Sequence, residues 1–79
     1  MNLKKPQTIS VLGDGAFGTA FATLLAHNGH TVHLWCHNPA VAIAIAAQRI
    51  NSTYLPDIEL SEKIIPTTSL QEALENNII

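Results

Sequence analysis

The sequence predicts an α/β fold that forms part of a doubly wound parallel sheet, and three observations support this prediction. An apolar run, Thr8–Leu12, leads directly into a turn of the form Gly-x-Gly-x-x-Gly. An amphipathic stretch follows the turn, and a second β-rich run follows that stretch. Strand, glycine turn, helix and strand in this order are typical of a βαβ unit, because neighbouring parallel strands need a crossover connection.

The first half of the chain is predicted to form strand, helix and strand. The first strand, Thr8–Leu12, is apolar on both faces apart from Ser10, as expected of a strand buried in a parallel sheet. The apolar residues after the turn recur at helical spacing, and we expect this face to pack on the sheet. These residues are Phe17, Ala20, Phe21, Leu24 and Leu25. Asn28 and Gly29 end the helix, and residues 31–36 form the second strand.

The second half of the chain is predicted to contain another helix and several shorter elements. Asn38 and Pro39 supply an N-cap and a first-turn proline for a helix that extends to about Arg49, although the apolar residues at 41, 43 and 45 alternate as in a strand. Residues 51–57 are expected to be irregular, because proline and small polar residues oppose regular structure. Three short elements follow: a strand at 64–65, a helix opened by a capping box at 69–72, and the start of a strand at 77–79.

The glycine turn has the spacing of a dinucleotide-binding loop of the Rossmann type. Gly13 permits a tight turn out of the strand, Gly15 lets the backbone approach a pyrophosphate, and Gly18 lets the helix lie close to the strand. The start of the helix would direct N–H groups and the positive end of its dipole at a phosphate. Asp14 opposes this interpretation slightly, because a carboxylate repels a pyrophosphate unless its side chain points away, to solvent or to the neighbouring strand. The alternative is that the glycines only mark a turn in an ordinary αβ unit.

The end of the second strand is where such folds recognise the adenosine ribose. An acidic residue there would bond the 2′-hydroxyl and reject a 2′-phosphate, but this chain has Cys36, His37 and Asn38. A 2′-phosphate is therefore not repelled by these residues, and His37 could bond it more strongly as the pH falls. The expected cofactor is NAD or NADP, with the preference left open. The alternative is that His37 is only a polar residue at a strand exit.

The size and composition of the chain indicate a piece of a larger fold. A complete dinucleotide-binding domain uses two mononucleotide-binding halves and about six strands, whereas the 79 residues have room for one half and little more. The chain is also 47% apolar and only 13% charged, which suggests faces made for absent neighbours. We therefore interpret residues 1–79 as the truncated N-terminal portion of a dinucleotide-binding domain, without its substrate domain. A compact, complete αβ domain is the alternative.

Charge and cysteine content narrow the expected partners and compartment. The net charge is −2 and the four basic residues are scattered, so the sequence predicts no positively charged patch that would bind nucleic acid. The single cysteine, Cys36, cannot form an internal disulfide, which fits a reducing compartment. The apolar run after the N-terminal lysines is too short for a signal peptide or a membrane span. We therefore expect a cytoplasmic protein without a membrane segment.

No catalytic group and no metal site are predicted in this chain. Four histidines are close in sequence but lie at a helix end, a turn, a strand and a strand exit, from which convergence on one ion is awkward; they are His27, His30, His33 and His37. No cysteine pair has zinc-binding spacing, and Cys36 has no adjacent base that would make it a nucleophile. Trp35 is interpreted as a core residue rather than a stacking platform, and the glutamates as solvated residues. Any catalytic machinery is therefore expected beyond residue 79.

Four segments of the sequence together resemble one known family. They are Gly-Asp-Gly-Ala-Phe-Gly-Thr-Ala at 13–20, Asn-Gly-His at 28–30, Leu-Trp at 34–35 and Arg-Ile-Asn-Ser-Thr-Tyr-Leu-Pro at 49–56. In this order they resemble the N-terminal part of bacterial NAD(P)-dependent glycerol-3-phosphate dehydrogenase, over residues 8–79. The Tyr-Leu-Pro element after Arg-x-Asn discriminates best, because general dinucleotide-binding folds lack it. The family usually has alanine where Asp14 stands and often serine where Ala16 stands, so this chain would lose a hydroxyl contact of the loop.

The resemblance implies an oxidoreductase that interconverts dihydroxyacetone phosphate and sn-glycerol 3-phosphate with NADH or NADPH, for glycerophospholipid synthesis. It implies cofactor contacts from the glycine loop, including Ala16 and Phe17, and from His37. The family's catalytic lysine and helical substrate domain would lie further along, so the 79-residue chain alone is expected to be inactive. A homodimer is one expectation for the full-length enzyme. The alternatives are a non-catalytic nucleotide-binding module and the N-terminal part of another dehydrogenase, such as a 6-phosphogluconate or 3-hydroxyacyl-CoA type.

Overall fold

The computed structural model describes residues 5–78 and contains nine elements of secondary structure in that range. In chain order they are β1 (Thr8–Leu12), α1 (Ala16–His27), β2 (Thr31–Trp35), α2 (Pro39–Gln48), β3 (Ile50–Asn51), β4 (Leu55–Glu59), β5 (Ile64–Thr67), α3 (Leu70–Ala73) and β6 (Asn77–Ile78). Four strands form a sheet in the order β5-β2-β1-β6, and every neighbouring pair is parallel. The predicted α/β fold, with the strand order of one half of a doubly wound sheet, is confirmed. Residues 1–4 and Ile79 lie outside the described residues.

The core lies where the two central strands meet the helices. In β1, Ile9, Ser10 and Val11 are buried in succession, as expected of a central parallel strand. In β2 the burial alternates, with Val32 and Leu34 inside. The same core cluster includes residues of both long helices and of the segments near β5: Ala22, Leu25, Ala26, Cys36, Val41, Ile45, Leu60 and Ile64. The packing therefore joins β1, α1, β2 and α2 into one unit.

The predicted packing face of α1 is wrong for three of its five residues. Phe17 is 84% exposed, Leu24 is 54% exposed, and Ala20 is also exposed. The buried residues of α1 are instead Thr19, Ala22, Leu25 and Ala26. Of the predicted face only Leu25 is buried, with Phe21 partly buried against the core. The helix lies close to the sheet, and a close approach favours small side chains at the contact over phenylalanine and leucine.

Helix α2 begins and ends close to the predicted positions. The Asn38 side chain accepts a hydrogen bond from the Ala40 N–H at 3.0 Å, and Pro39 is the first helical residue. Val41 and Ile45, one helical turn apart, are buried, whereas Ile43 is exposed. The strand-like alternation at 41, 43 and 45 therefore does not correspond to one buried face. Arg49 ends the helix in the left-handed conformation, with φ of 58°.

The prediction that residues 51–57 are irregular is wrong for Asn51 and for residues 55–57, which lie in strands, and is confirmed for the turn at residues 52–54. β3 and β4 pair as a two-stranded antiparallel ribbon, in which Ile50 is opposite Glu59 and Asn51 is opposite Leu55. The pairing shifts register between Ile50 and Asn51, so the ribbon is irregular at its turn. Pro56 is tolerated because a two-stranded ribbon leaves one edge of each strand unpaired.

The last elements are short and agree in part with the prediction. β5 extends from Ile64 through Pro66 to Thr67, which is possible because β5 is an edge strand of the sheet. Half of the predicted capping box is present, since the Ser69 hydroxyl accepts from the Glu72 N–H at 3.2 Å. The Glu72 carboxylate does not complete the box and accepts from the Thr67 hydroxyl instead. Within residues 5–78 no helix is long and apolar enough to cross a membrane.

Candidate functional site

The glycine turn lies between the end of β1 and the start of α1, where three residues connect the two elements. Gly13 has φ of +136°, a backbone conformation that residues with a side chain rarely adopt. Its N–H donates to the Trp35 carbonyl at 3.0 Å, which joins the turn to the end of β2. The carboxyl ends of β1 and β2 therefore meet at one edge of the sheet, where open α/β sheets bind ligands.

Gly18 allows α1 to lie directly against the turn. A Cβ atom at this position would be 2.3 Å from the Gly13 carbonyl oxygen and 3.1 Å from its carbonyl carbon. Real Cβ atoms do not approach backbone atoms this closely, so any other residue would push the helix away from the strand. The predicted task of Gly18, close packing of helix on strand, is present in the structure.

Gly15 has a different surrounding, which suits a ligand. Its backbone is in an ordinary extended conformation, with φ of −67° and ψ of 178°, and a Cβ atom would meet nothing within 4 Å. Neither the backbone nor the packing of the protein therefore requires glycine at this position. A ligand that lies on the main chain would require it, because a side chain would project into the space that the ligand fills. The open space at Gly15 fits a pyrophosphate held by the backbone.

The first turn of α1 offers donors to an anion. Gly15 is the N-cap residue and has no side chain to accept hydrogen bonds from the N–H groups of the first turn. The first turn also contains no acidic residue. Unbonded N–H groups and the positive end of the helix dipole therefore point toward the open space beside the turn.

A pocket of about 470 Å³ lies over this turn. Five of the six predicted cofactor-binding residues line it, namely Gly13, Gly15, Ala16, Phe17 and Gly18, together with Val11, Leu12 and Phe21. Phe17 and Phe21 stack with their ring centroids 6.3 Å apart. The pocket combines an apolar wall with a backbone floor rich in N–H groups, as expected of a nucleotide site.

The sixth predicted residue, His37, lies outside this pocket. It is exposed, two residues after the end of β2, and its ring meets that of Trp35 edge to face with centroids 6.0 Å apart. Trp35 itself is half-buried, and its indole N–H donates to the Thr68 carbonyl at 3.2 Å. His37 therefore lies at the strand end where ribose recognition is expected, outside the pocket over the glycine turn.

Asp14 points away from the pocket. Its side chain is only 5% exposed, and its Oδ2 accepts a hydrogen bond from the Asn38 N–H at 3.2 Å. The carboxylate is thus directed at the link between β2 and α2, which is the outward orientation toward the neighbouring strand that the sequence left open. Its charge does not line the pocket proposed for the pyrophosphate.

Asn51 is a buried polar residue that the sequence analysis did not identify as part of the site. Its Nδ2 donates to the Asp14 carbonyl at 2.7 Å and to the Thr19 hydroxyl oxygen at 2.8 Å, and its Oδ1 accepts from the Tyr54 N–H at 3.2 Å. The Thr19 hydroxyl donates in turn to the Asp14 carbonyl at 3.2 Å. These bonds fix the glycine loop to the β3–β4 ribbon. The sequence signal that could have identified Asn51 as part of the site is its place in the Arg-x-Asn segment at residues 49–51, which was used only for the family resemblance.

The remaining polar candidates lack the surroundings of reactive groups. Cys36 is buried, and burial together with the charge of Asp14 raises the pKa of its thiol from 9.0 to about 11, so that little thiolate forms at neutral pH. His30 is buried, and its Nδ1 accepts from the Gln7 N–H. Within residues 5–78 no three His, Cys, Asp or Glu side chains are grouped so that they could hold a metal ion. The glutamates at 59, 62, 72 and 75 are exposed.

Comparison with known proteins gives consistent matches over nearly the whole chain. The family model for the N-terminus of NAD-dependent glycerol-3-phosphate dehydrogenase matches residues 8–79. The NAD(P)+ glycerol-3-phosphate dehydrogenase of Alcanivorax borkumensis is 51% identical over 65 residues, which are 82% of this chain and 19% of the relative. That of Moorella thermoacetica is 46% identical over 69 residues, 87% of this chain and 21% of the relative. The chain therefore spans about a fifth of the length of the curated relatives it matches.

Solved structures agree with these sequence matches. The crystal structure of glycerol-3-phosphate dehydrogenase from Coxiella burnetii superposes with a TM-score of 0.84 at 32% identity, over 92% of this chain and 23% of that one. The enzyme of the same name from Plasmodium falciparum superposes with a TM-score of 0.79 at 23% identity, over 98% of this chain and 26% of that one. The second match supports the fold alone.

Proposed function

The chain belongs to the NAD-dependent glycerol-3-phosphate dehydrogenase family, through its N-terminal domain, and we propose that it binds the ADP part of NAD(P)(H) at the glycine turn. The observation that carries this proposal is Gly15, whose backbone needs no glycine and whose missing side chain leaves the space over the first turn of α1 open. The family and the relatives' names supply the cofactor class, which is NAD or NADP.

Each residue of the turn has a proposed role in binding. The N–H groups at the start of α1 donate to the pyrophosphate oxygens, and Gly13 shapes the turn that presents them. Ala16 and Phe17 line the side of the pocket, and Phe17 covers apolar cofactor surface, which accounts for a phenylalanine that is 84% exposed in the protein alone. His37 contacts the adenosine ribose at the end of β2.

The activity proposed for the longer protein is the interconversion of sn-glycerol 3-phosphate and dihydroxyacetone phosphate. When bound, NAD(P)+ accepts a hydride from the C2 carbon of glycerol 3-phosphate while the C2 hydroxyl releases a proton, and NAD(P)H reverses both transfers. None of the described residues that line the pocket has a titratable side chain, and the buried Asp14 carboxylate points away from it, so the groups that move this proton are proposed to lie outside the 79 residues.

Three further proposals concern the domain to which the chain belongs, its cellular location and its oligomeric state. We propose that residues 1–79 are the N-terminal portion of the dinucleotide-binding domain, with the substrate domain outside them, and that the 79 residues alone show no turnover. A cytoplasmic location fits the unpaired cysteine. A homodimer of the full-length enzyme is retained as a proposal, to be tested by its mass in solution.

The test of binding uses a substitution that fills the pocket and spares the fold. Gly15→Val places a side chain in the open space, where its backbone conformation is allowed, and should reduce NADH affinity by about tenfold or more. The matched control is Ala47→Val, which adds similar bulk at an exposed position of α2. Titration calorimetry measures both variants, and circular dichroism checks that both retain their helices. The proposal fails if the wild-type chain is folded yet binds neither NADH nor NADPH, or if Gly15→Val binds as tightly as the control.

A further inference from the structure

The carboxylate of Asp14 lies at the end of β2, where the adenosine ribose is recognised in folds of this type. It reaches this place from the glycine turn, and not from β2 itself. The side chain is 5% exposed, and its Oδ2 accepts from the Asn38 N–H at 3.2 Å. Residues 36–38 contain no acid, yet the structure places a carboxylate against their backbone.

The start of α2 also lacks free donors for a phosphate. The Asn38 N–H is bonded to Asp14, and Pro39 has no N–H. The Ala40 N–H donates to the Asn38 side chain at 3.0 Å, and the Val41 N–H donates to the Asn38 carbonyl at 3.0 Å. A phosphate bound at a helix N-terminus needs these backbone groups unbonded. From Asn38 through Val41, the backbone therefore offers no unbonded N–H to a 2′-phosphate.

The negative charge of Asp14 acts on groups at the end of β2. Its hydrogen-bond partner is a neutral backbone N–H, which does not cancel the charge. The charge reaches Cys36, where it adds to burial in raising the pKa of the thiol to about 11. An anionic group placed near the same strand end is opposed for the same electrostatic reason.

We propose that Asp14 is a specificity-determining residue, which makes the site prefer a cofactor with a free adenosine 2′-hydroxyl over one with a 2′-phosphate. This inference rests on the proposed function, because it concerns the same cofactor site. It reverses the expectation drawn from residues 36–38 alone, since the acid is supplied by the glycine turn. His37 stays available to bond the ribose hydroxyl, and the cofactor class favoured is NAD(H).

The experiment compares two probes of the ADP half of the site by titration calorimetry. They are ADP-ribose and 2′-phospho-ADP-ribose, measured with the 79-residue chain at low ionic strength. The wild-type chain should bind ADP-ribose more tightly by about fivefold or more, as expected of like charges near a protein surface. Added salt should narrow this ratio, because it screens the charge.

The decisive variant is Asp14→Asn, which removes the charge and keeps an oxygen to accept from the Asn38 N–H. It should reduce the ratio of ADP-ribose affinity to 2′-phospho-ADP-ribose affinity by about threefold or more. Glu62→Gln is the matched control, because it removes one negative charge from an exposed residue just before β5, at the amino ends of the parallel strands, whereas Asp14 lies at their carboxyl ends. It should leave the ratio unchanged.

Three results overturn the proposal. They are equal or tighter binding of 2′-phospho-ADP-ribose to the wild-type chain, a wild-type ratio that salt does not change, and an unchanged ratio in a folded Asp14→Asn variant. If circular dichroism shows that Asp14→Asn does not fold, the proposal is tested by the wild-type chain alone. The test is then the ratio of its affinities for ADP-ribose and 2′-phospho-ADP-ribose, and the change of that ratio with salt. Failure of a folded wild-type chain to bind either probe overturns the proposed function and this inference together, whereas equal binding of both probes overturns this inference alone.

Discussion

Replacing Gly18 with alanine tests the close contact between α1 and the glycine turn. The added Cβ would be 2.3 Å from the Gly13 carbonyl oxygen, so helix and turn must separate by about 1 Å to restore a normal contact. Backbone atoms on both sides cannot rotate away as a flexible side chain would. Overpacking of this kind costs about 1–3 kcal/mol or more. Because the clash is with backbone atoms, the cost lies at the upper end of this range, about 3 kcal/mol. The better helix propensity of alanine returns about 1 kcal/mol, which leaves a net loss of about 2 kcal/mol in the free energy of unfolding.

Urea denaturation followed by circular dichroism measures this loss, with NADH titration on the same samples. Gly15→Ala is the control, because its Cβ meets nothing within 4 Å and its φ is ordinary. We expect Gly18→Ala to lose both stability and affinity, and Gly15→Ala to lose affinity with a stability change below about 1 kcal/mol. If Gly18→Ala is as stable as the wild type, helix and turn are not in the contact described here, and the interpretation of Gly18 is wrong.

Three further predictions concern the surroundings of the turn. Asn51→Ala should lower the free energy of unfolding by about 2–3 kcal/mol in urea, because it removes two buried hydrogen bonds, one to the glycine turn and one to α1, whereas Ser52→Ala, at an exposed neighbour, should change it little. Burial, with the charge of Asp14, raises the pKa of the Cys36 thiol from its ordinary 9.0 to about 11 in the folded chain, so the unfolded chain releases this proton first. The free energy of unfolding should therefore fall by up to about 2–3 kcal/mol as the pH rises from about 9 to 11, more steeply than in Cys36→Ala; parallel pH profiles would contradict this. His37→Asp should weaken NADPH relative to NADH by about tenfold in titration calorimetry, and equal losses for both cofactors would remove His37 from the ribose site.

The α1 face shows why helical periodicity predicted the helix but not its orientation. Large apolar residues recur at 17, 21, 24 and 25, and burial of large apolar side chains is the usual expectation. The contact with the turn imposes a different choice, because Gly18 must face Gly13. Positions 22, 25 and 26 lie on the same helix face as Gly18 and are buried, together with the adjacent Thr19. The third glycine of the motif therefore fixes the packing face, which leaves Phe17 and Leu24 on the outer side, whereas Leu25 is buried and Phe21 is partly buried.

The β3–β4 ribbon could not be predicted by local sequence rules. Asn51, Ser52, Thr53 and Pro56 each oppose regular structure, and local rules indicated a loop. A two-residue strand such as Ile50–Asn51 has too few residues to produce an alternating pattern. The ribbon is held instead by long-range bonds, from Asn51 to the Asp14 carbonyl and from the Leu60 N–H to the Arg49 carbonyl. Such tertiary contacts leave no periodic signal in the residues that make them.

The same bonds explain why the turn and the Arg-x-Asn segment belong to one site although they are distant in sequence. The Asp14 carbonyl lies inside the glycine turn, between two residues that must not move if the N–H groups of α1 are to stay aimed at a phosphate. Within the βαβ unit the Thr19 hydroxyl donates to this carbonyl at 3.2 Å, and the Asn51 amide adds a shorter bond of 2.7 Å from outside the unit. Asn51 and Thr19 both donate to the Asp14 carbonyl, and these two bonds fix the backbone between Gly13 and Gly15. Fixing that backbone also fixes where the Asp14 side chain leaves it, and hence its approach to Asn38. The pocket proposed for the pyrophosphate and the charge of Asp14 near the end of β2 are thus positioned by the same buried amide, so a change at Asn51 should alter both cofactor affinity and cofactor preference.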